Sequence, residues 1–255
     1  MTIKLHRVHD PDIGEFMASS GEASLSVTIQ STGKKYATIQ EAMDAAVEDD
    51  IILVGPGTYQ EDVTWSDENN VSLLPLIPGT DVVIEAVTAF AVKIDPAAHS
   101  GTWTATLGVQ LSHGDGLVGL QVDNSTVGSR MNIFLKDVDI ESETSTDHAI
   151  DVNRSGASDK AIRIYATAGN QATIEGLVHF ITESTDDRVR FTNYRLIGGF
   201  ECSGAVVNEL TFVLCGIKTS GLTVNSSNVY NLIACWYETD ANPNVHTACV
   251  DVVEQ

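Results

Sequence analysis

The chain has few basic side chains, and this shortage limits the partners that it can bind. Its 255 residues include 14 lysines and arginines against 35 aspartates and glutamates, which gives a formal net charge of −21 at pH 7. Binding to a polyphosphate requires a local surplus of Lys and Arg. The composition therefore argues against a nucleic acid as partner, and an anionic membrane surface is disfavoured for the same reason.

Long apolar runs are missing as well. No stretch reaches the roughly 18 apolar residues that a transmembrane helix needs, so we expect no insertion into a membrane. The first 30 residues contain acidic side chains such as Asp10, Asp12 and Glu15 and lack the apolar segment that a signal peptide requires. We therefore expect no secretory signal peptide.

Cysteine is scarce, and its spacing disfavours the usual zinc sites. The four cysteines are Cys202, Cys215, Cys235 and Cys249. No two of them form the short Cys-x-x-Cys pair that is typical of structural zinc sites. His6 and His9 lie three residues apart beside Asp10, but this pair alone is a weak signal, and we assign no metal and no cofactor to the chain.

Residues 36–63 carry the clearest local signals. An apolar stripe with helical spacing predicts a helix there. Its members are Ile39, Ala42, Met43, Ala46 and Val47. Thr38, with Glu41 three positions later, forms a capping box that begins this helix. The run from Ile51 to Val54 predicts a short buried strand, which Gly55-Pro56-Gly57 ends.

From about residue 70 onward, short runs of alternating apolar and polar residues recur, and the later ones repeat at about 20 residues. Residues 211–217 align with 231–237, with Cys215 on Cys235, and residues 189–196 align with 210–217. A strand-rich repeat of this length is typical of a solenoid, in which each repeat packs on the next. We predict that the two cysteines are buried thiols in neighbouring repeats; a disulfide is the alternative.

Two further pairs follow the same periodicity. Asn208 and Asn228 share the offset of the two cysteines, and Phe134 precedes Phe191 by 57 residues, close to three periods. We predict that the asparagines form a stacked, inward-facing ladder that satisfies buried backbone groups. The phenylalanines are expected at equivalent positions of their repeats.

The segment 36–63 resembles the opening of the pectate-lyase-like superfamily of right-handed parallel β-helices, which includes pectin methylesterases. The matching residues are Thr38, Ile39, Gln40, Glu41, Ala42, Pro56, Gly57, Tyr59 and Glu61. The resemblance implies an all-β fold, a right-handed parallel β-helix (solenoid) with one short N-terminal capping helix. We expect an irregular N-terminal attachment arm over residues 1–33 and a single β-helix domain over residues 34–255.

The catalytic motifs of the enzymes in that superfamily do not match this chain. His113 and Asp115, in Ser112-His113-Gly114-Asp115-Gly116, are superficially similar to the His-Gly loop of polygalacturonases. No suitable pair of carboxylates precedes them, so they are weak catalytic candidates, and the alternative is an exposed loop. Fold alone does not imply function.

Three functions compete. The first is a non-enzymatic structural protein of a virion, as a capsid decoration, a vertex component or a tail-spike-like component. We expect such a protein to form a homotrimer in the virion and to bind other capsid or tail proteins through its N-terminal arm. The second is a polysaccharide lyase or hydrolase. The third is a passive module that binds host-surface carbohydrate. Exposed aromatic side chains such as Trp65, Trp103 and Trp236 would stack on the sugars, and the alternative for these tryptophans is a place in the packed core or in an interface.

Overall fold

The computed structural model describes most of the chain between residues 26 and 248. The described residues are 26–66, 69–96, 101–123, 130–143, 147–153, 161–182, 187–204, 207–218, 222–224, 228–233, 235–239 and 242–248. They form one helix, α1 (Ile39–Ala45), and 24 strands. The strands are β1 (Val27–Ile29), β2 (Lys34–Tyr36), β3 (Ile51–Val54), β4 (Gly57–Gln60), β5 (Val63–Trp65), β6 (Val71–Pro75), β7 (Val82–Glu85), β8 (Phe90–Ile94), β9 (Thr102–Leu107), β10 (Gln110–His113), β11 (Val118–Asp123), β12 (Arg130–Lys136), β13 (Ile140–Ser142), β14 (His148–Asn153), β15 (Ala161–Ile174), β16 (Leu177–Thr182), β17 (Arg188–Leu196), β18 (Phe200–Gly204), β19 (Val207–Val213), β20 (Gly216–Lys218), β21 (Leu222–Val224), β22 (Asn228–Ile233), β23 (Trp236–Thr239) and β24 (Asn242–Ala248).

The strands lie in one sheet of 17 strands and one of seven, and most neighbours are parallel. Within the larger sheet, a first series of parallel partners runs through β3, β6, β9, β12, β15, β17, β19 and β22. A second series runs through β4, β7, β10, β13, β15, β17, β20 and β23. The smaller sheet consists of β5, β8, β11, β14, β16, β18 and β21. The all-β class that the sequence predicts is confirmed, and the sheets are mostly parallel.

The register of the seven-stranded sheet produces continuous rows of side chains on each face. One row faces the interior and is buried; it consists of Trp65, Ile94, Val122, Val152, Phe180 and Cys202. The residue before each of these lies on the outer face, because side chains alternate along a strand. The outer row consists of Thr64, Lys93, Gln121, Asp151, His179 and Glu201. The sequence pattern of alternating apolar and polar residues therefore sets which face is buried.

The interior between the two sheets is packed with aromatic and branched side chains. Phe191 stacks on Phe212 at a ring-centroid distance of 5.9 Å, and Phe200 meets Phe212 edge-to-face at 5.2 Å. Trp65 and Trp103 meet edge-to-face at 5.8 Å, and both are fully buried. Of the two alternatives for these tryptophans, the packed core is therefore correct for Trp65 and Trp103 and contact with a sugar is not. The side chain of Trp236 lies outside the described residues.

Helix α1 and strand β1 cover the edge at which the parallel strands begin. Strand β1 pairs antiparallel with β2 and β3, and Thr38 accepts the N–H of Glu41 at 3.0 Å as the N-cap of α1. The N-cap at Thr38 and the strand Ile51–Val54 are confirmed. The reciprocal bond of the capping box differs by one residue, because the Glu41 carboxylate accepts the N–H of Ala37. The apolar stripe is correct except at its last member: α1 ends at Ala45, and Val47 is 64% exposed. With seven residues, α1 is too short to cross a membrane.

The predicted boundary of the N-terminal arm needs a correction. Residues 1–33 are expected to be irregular, yet Val27–Ile29 form β1 and belong to the larger sheet. Residues 1–25 lie outside the described residues. At the other end of the sheet, β24 pairs antiparallel with β23. Both ends of the larger sheet thus carry an antiparallel strand, which pairs with backbone groups of β3 at one end and of β23 at the other.

Candidate functional site

A cleft of about 580 Å³, lined by both polar and apolar residues, lies where the chain passes from the first series of strands to the second. Its walls are the segments that follow β6, β9 and β12 and residues 169–172 within β15. The polar side chains that line it include Asp81, Gln110, Lys136, Asp137, Asp139 and Gln171. Four consecutive strands at a spacing of about 4.8 Å give the cleft a length of roughly 15 Å. The cleft therefore suits an extended polar ligand.

Two carboxylates of the cleft hold neighbouring strands together. Oδ1 of Asp137 accepts the N–H of Gly169 at 2.5 Å, and Oδ1 of Asp139 accepts the N–H of Thr173 at 2.6 Å. Asp137 has a positive φ of 53°, a conformation in which Asp and Asn are enriched. Both carboxylates are therefore fixed in place by backbone groups of β15, which gives them a structural role at the floor of the cleft.

The two weak catalytic candidates lie apart from this cleft. His113 is the last residue of β10 and is buried, at 1% exposure, so the exposed loop expected around it is wrong for the histidine. Burial lowers the pKa of His113, and nearby backbone groups of Gly114 and Leu117 oppose this effect in part. Neither ring nitrogen makes a hydrogen bond of good geometry. Asp115 is exposed in the following turn, and the buried imidazole does not face solvent beside it.

The residues that carry the superfamily resemblance stabilise the first layer of strands. The carboxylate of Glu61 accepts the N–H groups of Ile39 and Gln40 at 2.9 and 3.0 Å, at the start of α1. The buried Tyr59 donates its hydroxyl to the carbonyl of Gly55 at 3.0 Å. The amide of Gln40 forms two hydrogen bonds with the backbone of Thr64, at the outer edge of β5. This motif therefore closes the end of the fold.

The cysteine pair that the repeat brings together lies in the interior. Cys215 and Cys235 are buried, free thiols at adjacent positions of the second series, and they donate to the carbonyl oxygens of Phe191 and Phe212 at 3.5 and 3.1 Å. A side-chain hydrogen bond with Cys235, together with burial, raises the pKa of Cys215. Cys202 is also buried and free. Both causes keep the Cys215 thiol protonated and unreactive.

The register of β19 and β22 does not place the two asparagines of the predicted ladder opposite each other. The register places Asn228 opposite Val207, because it shifts between Val207 and Leu210. The side chains of Asn208 and Asn228 lie outside the described residues, as do His6, His9 and Asp10. The two asparagines therefore do not lie opposite each other as the ladder requires, and only the orientation of their side chains stays a prediction.

A cluster that the sequence analysis missed lies on the outer face of the seven-stranded sheet. Nδ1 of His179 lies 2.8 Å from Oδ1 of Asp151, and Nδ1 of His148 lies 3.5 Å from the same oxygen. The hydrogen bond to Asp151 raises the pKa of His179, and Glu201 adds to this effect. Asp151 and His179 are 28 residues apart in sequence, which is close to the sequence separation between β14 and β16. This spacing is the only sequence signal that could have indicated the cluster.

Comparisons with protein-family models, with curated proteins and with solved structures found no match for this chain.

Proposed function

We propose that the chain is a right-handed parallel β-helix of the pectate-lyase-like type and serves as a non-enzymatic structural component of a virion. The observation that carries this proposal is the order of the strands, which repeats a member of the first series, one of the second series and one of the seven-stranded sheet. A chain that winds in this way stacks each turn on the one before and buries one continuous interior.

The acidic residues and the histidine that could take part in catalysis have structural roles in this architecture. Asp137 and Asp139 bind backbone N–H groups of the next strand, and Glu61 binds the start of α1. His113 is enclosed in the interior. A rod whose polar side chains join its layers suits a component that must withstand force, as capsid decorations, vertices and tail spikes do.

Two parts of the chain would make the contacts of such a component. Residues 1–25 precede β1 and form the attachment arm to other capsid or tail proteins. Leu214 and Ile233 are each 48% exposed, and the N–H of Leu214 donates to the carbonyl of Ile233, so they are neighbours on the surface. Burial of this apolar pair against a second chain favours the homotrimer.

Light scattering on three proteins tests the proposal: the full chain, the chain without residues 1–25, and Ile233→Lys. Deletion up to residue 25 retains β1 and so leaves the edge of β3 covered. We expect a trimer for the full chain, a loss of attachment to partner proteins without the arm, and smaller assemblies for Ile233→Lys. A monomeric full chain that is indifferent to both changes would contradict the proposal.

The cleft supports a second candidate function, the binding or cleavage of a polysaccharide. Its length of roughly 15 Å accommodates about three sugar units, and the amides and carboxylates among its lining residues suit hydroxyl groups. Incubation with uronate polysaccharides distinguishes the two functions. If the wild-type chain releases unsaturated or reducing ends and Gln171→Ala releases fewer, the chain is an enzyme. A structural component is expected to leave the polysaccharide intact.

A further inference from the structure

The outer face of the seven-stranded sheet brings two histidines and an aspartate together on neighbouring strands. Asp151 of β14 lies opposite His179 of β16 in the parallel register. The next residues along the two strands, Val152 and Phe180, are buried. Side-chain alternation therefore places Asp151 and His179 side by side on the outer face.

His148 joins this pair because of an irregularity in β14. In a regular strand, residues 148 and 151 would lie on opposite faces, since they are three positions apart. The register shifts between His148 and Ile150, so that β14 has one residue more than β16 here, and Ala149 and Ile150 are both buried. An extra residue of this kind re-aims a side chain, and such bulges concentrate next to functional sites. The hydrogen bond between Asp151 and His179 does not require this extra residue, because the two residues already lie opposite each other. The extra residue matters only for the position of His148.

The distances match those of a metal site. One ligand atom from each of the three residues lies within 4.8 Å of the others, and the two imidazole centroids are 5.1 Å apart. Tetrahedral coordination with bonds of about 2.0–2.2 Å separates neighbouring ligand atoms by about 3.3–3.6 Å. The separations of 2.8 and 3.5 Å from Asp151 Oδ1 need only small side-chain rotations to reach that geometry.

The surroundings also favour a cation. The side chains of Asp151 and His179 are only 16% and 19% exposed, so charges there are less screened than on an open surface. Glu201 lies opposite His179 on β18 and brings a further negative charge to its other side. Two imidazoles in ring contact repel each other when both are protonated, whereas a single bound metal ion is attracted by both neutral rings and by the carboxylate.

We propose that His148, Asp151 and His179 bind one divalent first-row transition metal ion, with Zn²⁺ as the ion to test. Imidazole nitrogen is a preferred ligand of Zn²⁺ and its neighbours in the first row, whereas Ca²⁺ and Mg²⁺ take oxygen ligands. Three protein ligands leave at least one coordination position open to water or to a group from outside the chain. The ion would join β14 to β16 through side chains, in addition to their backbone pairing.

Titration calorimetry of the chelator-treated full chain with ZnCl₂ tests the site. We expect one ion per chain with a Kd below about 100 µM, and at least tenfold weaker binding in His148→Ala and in His179→Ala. The control is the double variant His6→Ala/His9→Ala, which removes the other closely spaced histidine pair and should retain the affinity of the site. Circular dichroism identifies any variant that fails to fold; His148 is 36% exposed, so its variant is expected to fold.

Cobalt gives a second reading of the same site. Co²⁺ bound by two imidazoles and a carboxylate in a tetrahedral site has visible absorption bands, and we expect these bands in the wild type and in the His6/His9 control but not in His148→Ala. No ion bound by the wild type would overturn the proposal. So would binding that survives both single changes, or binding that disappears in the His6/His9 control.

Discussion

Removal of the Gln40 side-chain amide tests how α1 covers β5 at the N-terminal end of the stacked strands. Its Oε1 accepts the N–H of Thr64 at 2.6 Å, and its Nε2 donates to the carbonyl oxygen of Thr64 at 3.1 Å. Thr64 lies in β5, the first strand of the seven-stranded sheet, and both of these groups point away from β8. Gln40→Ala removes both hydrogen bonds, together with the exposed one that Nε2 donates to Asp44 within α1. Each of the two bonds to Thr64 contributes about 0.5–1.5 kcal/mol, so local opening at this edge should become easier by about 1–3 kcal/mol.

Amide hydrogen exchange at Thr64 measures this change directly, because stacked architectures open locally from their ends. A change of about 1–3 kcal/mol corresponds to exchange that is about 5–150 times faster. Gln60→Ala is the matched control: the Gln60 amide contacts Glu85 on the exposed surface, and its loss should leave exchange at Thr64 unchanged. If Thr64 exchanges in Gln40→Ala within twofold of the wild-type rate, our account of the motif is wrong.

Three further predictions concern the interior. Phe191→Ala should lower the free energy of unfolding by about 3–5 kcal/mol, whereas Phe134→Ala, which removes a half-buried ring that stacks on the outer face, should lower it by less than half as much in denaturant titrations. His113→Leu should raise stability by about 1–2 kcal/mol at pH 7. This advantage should grow as the pH falls below about 6.5, because the lowered pKa of the folded histidine lets the unfolded chain bind the proton first. The Cys215 and Cys235 thiols should resist a thiol reagent until the chain unfolds, and rapid labelling of the native protein would contradict their burial.

Local sequence signals predict the parts of the fold in which neighbours in sequence are neighbours in space. The N-cap at Thr38 and the strand at Ile51 depend on a few adjacent residues, and both appear where expected. The offset between residues 189–196 and 210–217 also matches the register, which pairs Val189 with Leu210. The offset between these repeats is constant from Val189 to Leu196, so counting residues along the chain predicts the register correctly.

The same count fails where the connecting segments change in length. Phe134 pairs with Tyr165, and Tyr165 pairs with Arg190, so Phe134 aligns with Arg190 and not with Phe191. A shift of one residue moves a side chain to the other face of a sheet. Phe134 therefore stacks on Tyr165 at 5.4 Å on the outer face, while Phe191 is buried.

The cluster of His148, Asp151 and His179 could not be predicted from the sequence for a related reason. Asp151 and His179 become neighbours through a register set by the segment between β14 and β16, and His148 joins them through an extra residue in β14. Neither the register nor the bulge has a short sequence signature. His113 shows the opposite error, because a motif-like string around it suggested a surface loop, whereas the alternation in β10 places the ring inside.

A crystal structure of this chain would show the winding of the strands and the assembly together. We expect right-handed turns of parallel strands about 4.8 Å apart and three chains of 27.3 kDa around one axis, with Leu214 and Ile233 buried between them. A single chain with that pair in solvent would rule out the trimer, and strands that do not wind in one direction would rule out the β-helix.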